Sequence, residues 1–394
     1  MPVRATRRGA ERTALDADCD VLICGASFAG LAVARELAGS GANVVLVDRY
    51  EVGERQTSAC AAPTAWLQAL DLASSIRQSF EELVIHSPSA TIRYRLPWTL
   101  STFDYRELCA LLAEQGDARF ETATVQGLER GSAAPGELGG QAPPVHRVRT
   151  DRGELRAPLV VDALGWRRVL DAGPAIQPPR ARLSRGLEVH PRGRSQDLEI
   201  WIDPRYVRAG YSWSFPAAQE IRVGAGSFEP RDHVREPTVR LATDLRLDPV
   251  GYQGNWIPHQ LRPAVAGGIF FVGDSAGHCL PLSAEGIRPA LYFGLACGRE
   301  LRAVLEGRSH RETALERYGA FSADHRWHFE WLLRLQHAVG RLGRRPLMTG
   351  LLRAMNHERF VTWAFENYLN IAHPSFADAG PVRFPARNPV ALAA

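Results

Sequence analysis

The amino-acid sequence predicts an α/β protein in which a Rossmann-like dinucleotide-binding domain is interleaved with an antiparallel-sheet domain and followed by a helical tail. Three observations carry this. Asp20 to Arg49 reads as strand, glycine turn, helix and second strand; Leu183 to Glu229 breaks into short alternating runs; beyond Leu305 the chain is rich in helical spacing. With 394 residues the chain is too long for one ordinary core, so two interleaved domains are the natural prior.

The first stretch is the most informative. Val21 to Cys24 is a short apolar run suited to a parallel strand buried on both faces. Gly25, Ser27 and Gly30 follow as G-x-S-x-x-G, one residue away from the dinucleotide fingerprint. The first glycine permits a sharp turn, the last lets helix and strand pack closely, and the helix N-terminus offers N–H groups to a pyrophosphate. Serine stands where the closest backbone approach is usually made. Leu31, Ala34, Leu37 and Ala38 form a helical stripe that stops at Gly39-Ser40-Gly41, and Val44 to Val47 form the next strand. It ends in Asp48, placed to hold a ribose 2′-hydroxyl and to reject a 2′-phosphate.

Composition narrows the function. The chain has no lysine, so all 47 basic residues are arginine and any mechanism needing a catalytic lysine is excluded. A net charge of +4, spread without a basic stripe, gives no reason to propose nucleic acid. Weak attraction to an anionic membrane surface stays open. Six cysteines are dispersed without metal-ligand spacing, and Cys24 falls inside a buried strand, which points to a reducing compartment, no structural disulfides and no metal. Residues 1–19 carry four arginines and no apolar core, so they are expected to be a disordered tail rather than a secretory signal. The uncharged stretch Val21 to Ala34 is shorter than the ~20 residues a spanning helix needs. A cytoplasmic protein with at most peripheral membrane contact is expected.

In chain order, a loop after Asp48 carries Cys60 and leads to a helix near Thr64 to Leu72. Residues 82–96 suggest two strands, and STFDYRELCALLAEQ a helix with Asp104 at its start and Arg106 in its first turn. Arginine there opposes the helix dipole and suits an anionic partner. After a Gly/Pro-rich loop at 128–144, Val160 and Val161 end a strand that turns at Asp162-Ala163-Leu164-Gly165. The runs LEIWID, GYSWSFP and EIRVGAGSFE form the second sheet, with Tyr211, Trp213 and Phe215 on one face. Ile269 to Val272 is a buried strand ending in Gly273-Asp274, and a helix begins near Glu285-Gly286. Its small residues (Ala290, Gly294, Ala296, Cys297, Gly298) are expected to let it approach the sheet closely. Ser309 to Glu312 reads as a capping box. The expected domains are a tail at 1–19, a dinucleotide domain at 20–182 and 262–305 with part of 75–100 lent to the substrate side, a substrate sheet at 183–261, and a helical region at 306–394.

Four separated motifs together resemble the geranylgeranyl reductase family of FAD-dependent oxidoreductases, within the aromatic-hydroxylase fold and its GR2-type FAD domain. GASFAG with Asp48 looks like the N-terminal FAD fingerprint, VVDALGW like the D-A-x-G turn, GYSWSFP like Y-x-W-x-F-P, and GDSAGHCLPLSAEGI like G-D-A-A-G…P-x-x-G-E-G-I. The resemblance implies that Gly25, Ser27, Gly30 and Asp48 hold the ADP half of FAD, with Arg106 also against it. It places Gly273 and Asp274 at the pyrophosphate and ribityl chain, and Gly286 and Ile287 at the pyrimidine edge of the flavin. Tyr211, Trp213 and Phe215 would line an apolar substrate pocket. Cys60 falls where some members carry a cysteine beside the flavin, which makes it the candidate acid in alkene reduction. Departures are Ser27, Leu164, Ala61-Ala62 after the cysteine, and Ala284 for the glycine of G-E-G-I.

The expected reaction is hydride transfer from reduced flavin N5 to a C=C bond of an apolar, prenyl-like substrate. The alternative is an FAD-dependent monooxygenase of an apolar or aromatic metabolite, since one fold supports both. A flavin-binding protein without turnover is a third reading. Flavin halogenases share the scaffold but require a lysine, which this chain lacks. No second nucleotide fingerprint is visible, so electrons are expected from transiently docked NAD(P)H or from a protein such as a ferredoxin.

Overall fold

The computed structural model describes residues 13–56, 58–131, 134, 135, 141, 142, 144–171, 183–341 and 358–378. Two large sheets organise them. The first has six strands in the order Val265–Ala266, Ile269–Phe271, Leu159–Asp162, Val21–Cys24, Val44–Asp48, Arg119–Thr122, all pairs parallel except the outermost hairpin. Val21–Cys24 lies at its centre with all four residues buried, as a continuous apolar run requires. A smaller four-stranded sheet flanks it, and Ala17–Asp18 forms its edge by parallel pairing with Leu155 and Arg156. Leu15 is buried as well. The last residues of the expected tail therefore belong to the fold, and residues 1–12 lie outside the described part.

The second sheet has eight strands: Gln253–Pro258, Leu183–Val189, Glu220–Ser227, Gly210–Ala217, Leu198–Trp201, Ile76–His86, Thr91–Phe103 and Ala61–Pro63. It is antiparallel apart from one parallel pair, Leu198 to Trp201 against Leu83 to His86. Residues 76–103 form two long strands inside this sheet, so they give more to the substrate side than the partial contribution expected. The helix Arg235–Asp244 was not legible in the sequence; it packs on the Leu183–Val189 and Glu220–Ser227 strands, with Leu241 and Ala242 buried.

The long helix Ile287–Leu305 does make a close approach, but to the helix Phe28–Leu37 rather than to the sheet. A Cβ on Gly294 would stand 2.8 Å from the Ala29 carbonyl oxygen, and one on Gly298 would stand 3.0 Å from that of Val33. Helices Arg311–Asp324, Arg326–Arg341 and Glu358–Leu369 complete the described C-terminal region. The expected capping box does not form: His310 holds the N-cap position without a side-chain cap, and the Ser309 hydroxyl donates to the His310 carbonyl. Part of the loop at 128–144 and residues 342–357 and 379–394 of the expected helical region lie outside the described residues.

Candidate functional site

Backbone contact alone dictates the glycine turn. Gly25 has φ +114°, and a Cβ there would lie 2.2 Å from the Ala163 carbonyl oxygen; a Cβ on Gly30 would lie 1.8 Å from the Gly25 carbonyl oxygen. No side chain fits either position. Ser27, by contrast, has φ −116°, an extended conformation open to any residue, and its hydroxyl turns aside to Tyr105 at 3.1 Å. The substitution of serine for glycine is thereby accommodated. Asp48 ends its strand with one carboxylate oxygen accepting from Ala26 N–H at 2.8 Å and the other from Tyr50 N–H at 3.0 Å. Each oxygen keeps a second lone pair for a hydroxyl.

The D-A-L-G turn is held by its acid. Asp162 is fully buried and accepts from Leu164 N–H, from Leu170 N–H and from the Ser275 hydroxyl at 2.7 Å. Burial raises its pKa, and those three donors work against the rise. Ala163 touches Gly25, and Ser275 follows Asp274, so Asp162 ties three motifs into one crevice at the carboxyl ends of the parallel strands.

On the opposite wall Gly273 has φ +60°, and a Cβ there would meet the Ala29 methyl at 2.9 Å. The Asp274 carboxylate has no hydrogen-bond partner among the described residues, and burial pushes its pKa up to about 6 despite the nearby Arg262 guanidinium. Gly286 faces it: a Cβ there would lie 3.7 Å from Asp274 Oδ1. Gly286 caps the helix Ile287–Leu305, which runs for 19 residues. No acceptor among the described residues takes the Gly286 and Ile287 N–H groups, so this end presents its positive dipole to the crevice.

A buried network holds the loop before that helix. Arg288 is fully buried, forms a two-pronged pair with Glu285 at 2.7 and 2.8 Å, and donates to the Leu369 carbonyl at 2.7 Å. The Tyr368 hydroxyl donates to Glu285 and also meets the Ser283 hydroxyl, while the Tyr211 hydroxyl donates to the Ser283 carbonyl. Ala284, standing where the family has glycine, takes φ +54°, a strained conformation held by these contacts.

Tyr211, Trp213 and Phe215 share one face of their strand and are half-buried, while Ser212 and Ser214 on the other face are buried. Neighbouring ring centroids lie 5.9 and 6.4 Å apart. The Trp213 indole lies against Gly224 and Gly226 of the adjoining strand, where any larger residue would lift it. Since Tyr211 is bonded to the Ser283 loop, the aromatic wall and the loop that leads into the helix Ile287–Leu305 form a single unit.

Two expected residues sit differently. Cys60 has φ +55° and is fully buried, and its thiol donates to the Ser58 carbonyl at 3.1 Å; burial raises its pKa well above that of a free thiol, against the pull of Arg222. Arg106 is exposed beside the Gly53 turn and makes no hydrogen bond or ion pair among the described residues, which leaves its guanidinium available to a phosphate. Sequence reasoning did not single out Asp162, Arg288 or Tyr368 as organising residues. The first two lie inside or beside recognised motifs, whereas Tyr368 reaches the loop from 83 positions away and gave no local signal.

The glycine cradle, the open lone pairs of Asp48, the unpartnered Asp274 and the free N–H groups at Gly286 and Ile287 fit FAD. Residues 20–200 match the family described as FAD binding domain. The chain is an FAD-dependent oxidoreductase. Over 342 residues it is 21% identical to digeranylgeranylglycerophospholipid reductase 3 of Methanosphaera stadtmanae, covering 78% of this chain and 83% of that protein. In fold it is similar to a geranylgeranyl bacteriochlorophyll reductase-like protein from Thermoplasma acidophilum, with a TM-score of 0.75 and 16% identity over 92% of this chain and 98% of that one. It is also similar in fold to PqsL of Pseudomonas aeruginosa, described as a "probable FAD-dependent monooxygenase", with a TM-score of 0.61 and 19% identity over 82% of this chain and 97% of that one. In sequence and fold the chain thus resembles reductases of the geranylgeranyl type within the FAD-dependent oxidoreductases.

Proposed function

We propose that this enzyme reduces C=C bonds of an apolar, prenyl-like substrate. The observation that carries the reading is the aromatic wall of Tyr211, Trp213 and Phe215, bonded through Ser283 to the loop that leads into Gly286. Bound FAD, once reduced, supplies the hydride from N5. Gly286 and Ile287 would offer their N–H groups and the positive helix end to the flavin, favouring negative charge on it. Gly25, Ser27, Gly30, Asp48 and Arg106 hold the ADP half, and Gly273 and Asp274 the pyrophosphate and ribityl chain. The three aromatics exclude water and grip an isoprenoid chain by area alone. The second hydrogen arrives as a proton. Cys60 is the donor that the resemblance suggests, and a Cys60→Ser variant checks it: lost turnover keeps the thiol in that role, and retained turnover removes it.

Electrons come from transiently docked NAD(P)H or from a ferredoxin, distinguished by which of the two bleaches the flavin. The protein is proposed to be cytoplasmic, with peripheral contact at a membrane that holds its substrate. Trp327, Trp331 and Leu335 recur at helical spacing and are 67%, 49% and 37% exposed, and Trp363 is 60% exposed. Such a strip with arginines beside it suits a lipid headgroup layer. No helix among the described residues is long and apolar enough to cross a membrane.

The deciding experiment mixes the photoreduced, oxygen-free protein with a geranylgeranyl lipid and weighs the product. A gain of two hydrogens with flavin reoxidation supports the reductase. Product only after admission of oxygen, carrying an added oxygen atom, would establish the monooxygenase, the second reading favoured by the likeness to PqsL. Flavin that binds and never turns over would leave a non-catalytic binding protein.

A further inference from the structure

Beside the aromatic wall, in the same cross-strand row as Trp213 and Gly224, begins a chain of ionisable groups that the reading above does not use. His190 has no exposed side-chain surface; its Nε2 lies 2.9 Å from Glu188 Oε1 and its Nδ1 lies 3.1 Å from Glu220 Oε1. Arg222 Nε donates to the same Glu220 oxygen at 3.1 Å. Two carboxylates, a charged imidazole and a guanidinium sum to zero, which is the condition for keeping four ionisable groups in a low-dielectric interior. Burial disfavours a charge on His190, but the two carboxylates outweigh it and its pKa is raised. Burial likewise opposes ionisation of Glu220, yet His190 and Arg222 bring its pKa down to about 2.

The chain has a wet end and a dry end. The Glu220 side chain is 22% exposed, the His190 side chain 0% and that of Glu188 4%. At the dry end Glu188 Oε2 accepts from the indole N–H of Trp213 at 3.2 Å, the central residue of the proposed prenyl wall. Glu188 Oε1 also accepts from the Gln253 amide, which donates in turn to the Ser58 carbonyl, the acceptor of the Cys60 thiol. Arg222 donates to the carbonyls of Ala59 and Cys60. Glu188 therefore stands where the aromatic wall meets the Cys60 loop, at the end of a connected path from solvent.

We propose that Glu188, in place of Cys60, delivers the proton that completes alkene reduction and that His190 and Glu220 refill it from solvent. This rests on the reductase reading. The hydride and its electron pair come from reduced flavin and add to one alkene carbon. The Nε2 proton of His190 passes to the Glu188 carboxylate, and the O–H bond so formed breaks as a C–H bond forms at the other carbon. Glu188 is left as the carboxylate it was, and the neutral ring is recharged from water at the Glu220 end, so one solvent proton is consumed per double bond. The groups facing the path are Glu188, Glu220, Arg222, Trp213 and Gln253, together with the Cys60 thiol beyond Ser58.

The test uses FAD-loaded wild type, Glu188→Gln and His190→Asn, with geranylgeranyl diphosphate as the probe. Single-turnover flavin reoxidation is followed without oxygen across pH, and His190 is titrated by NMR in each protein. Glu188→Gln should keep FAD content and flavin spectrum, lower the pKa of His190, and slow reoxidation by about a hundredfold or more. His190→Asn should slow it mainly at high pH, with recovery as external protons become abundant. A Glu188→Gln variant that matches wild type overturns the proposal, as does a His190 whose pKa does not respond to that change. If wild type itself is never oxidised by the probe, the reductase reading fails and the proposal falls with it; wild-type turnover alongside an unaffected Glu188→Gln rejects the proton path alone.

Discussion

Gly30 and Gly224 look alike as close-packed glycines, yet different atoms enforce them. A Cβ on Gly30 would stand 1.8 Å from a backbone carbonyl oxygen, that of Gly25. A Cβ on Gly224 would stand 2.2 Å from the Trp213 ring, with the Leu187 carbonyl oxygen next at 2.8 Å. The tight turn between the central strand and the helix Phe28–Leu37 cannot step aside; an indole on the face of a sheet can. The proposed cofactor end is thus locked by main chain and the proposed substrate wall is set mainly by side chains. A fold built this way keeps its cofactor fixed while its pocket is free to change, which is how one scaffold carries both reductases and oxygenases.

The largest expected effect follows directly. Gly30→Ala should cost more than about 3 kcal/mol and abolish FAD retention, because no rotamer relieves a clash between Cβ and a carbonyl. Thermal unfolding and the flavin absorbance of the purified variant measure both; a yellow protein with wild-type melting would break the comparison at its stronger end. Arg288→Ala comes next. Removing a fully buried guanidinium leaves the Glu285 carboxylate with the Tyr368 hydroxyl but no counter-charge and unties the carbonyls of Leu369 and Tyr368, a loss of about 3–5 kcal/mol. Protease digestion should then cut first within 358–372. If those residues stay as resistant as before, the network is not what docks them.

The same distinction explains what the sequence made legible. Gly25, Gly30, Asp48 and Gly273 stand out because main-chain geometry permits few residues there, and a glycine or an acid at the end of an apolar strand is visible locally. Even the direction of the long helix's close packing was ambiguous, since small residues announce contact without naming the partner. Glu188, His190 and Glu220 left no such trace. They come from two strands and the turn after one of them, and a buried charge reads locally like an exposed one until its partners are known. Tyr368 is the extreme case, joining Glu285 across 83 positions.

Asp274 offers a test with a sign. Its pKa in the folded chain is raised to about 6 by burial, so the neutral acid is the form that the fold without cofactor prefers. Stability from this group is fully present below the ordinary aspartate value of about 3.9 and is lost as pH rises through 6. Two units at 1.36 kcal/mol each bound the change at roughly 3 kcal/mol, and the half-buried position makes about 2 the better expectation. Urea unfolding of the FAD-free protein from pH 4 to pH 8 should show wild type losing that much relative to Asp274→Asn, while the variant binds FAD more weakly because the carboxylate acceptor is gone. Parallel curves would show that Asp274 titrates normally.

The smallest effect sharpens the comparison most, because it repeats the Gly30 substitution at the other end of the molecule. Gly224→Ala should cost about 1–2 kcal/mol, since the indole can tilt off the sheet while the Leu187 carbonyl, 2.8 Å from the new Cβ, has to shift. FAD content should be unchanged, because Gly224 touches no cofactor-side residue. The lifted indole narrows the apolar pocket and lengthens the 3.2 Å bond from Trp213 to Glu188, so KM for a long prenyl chain should rise more than KM for a short one. Chain-length profiles of wild type and variant measure this directly. An equal loss for every chain length would mean that Trp213 serves the fold and not the substrate, and the division between a cofactor end locked by backbone and a wall set by side chains would not hold.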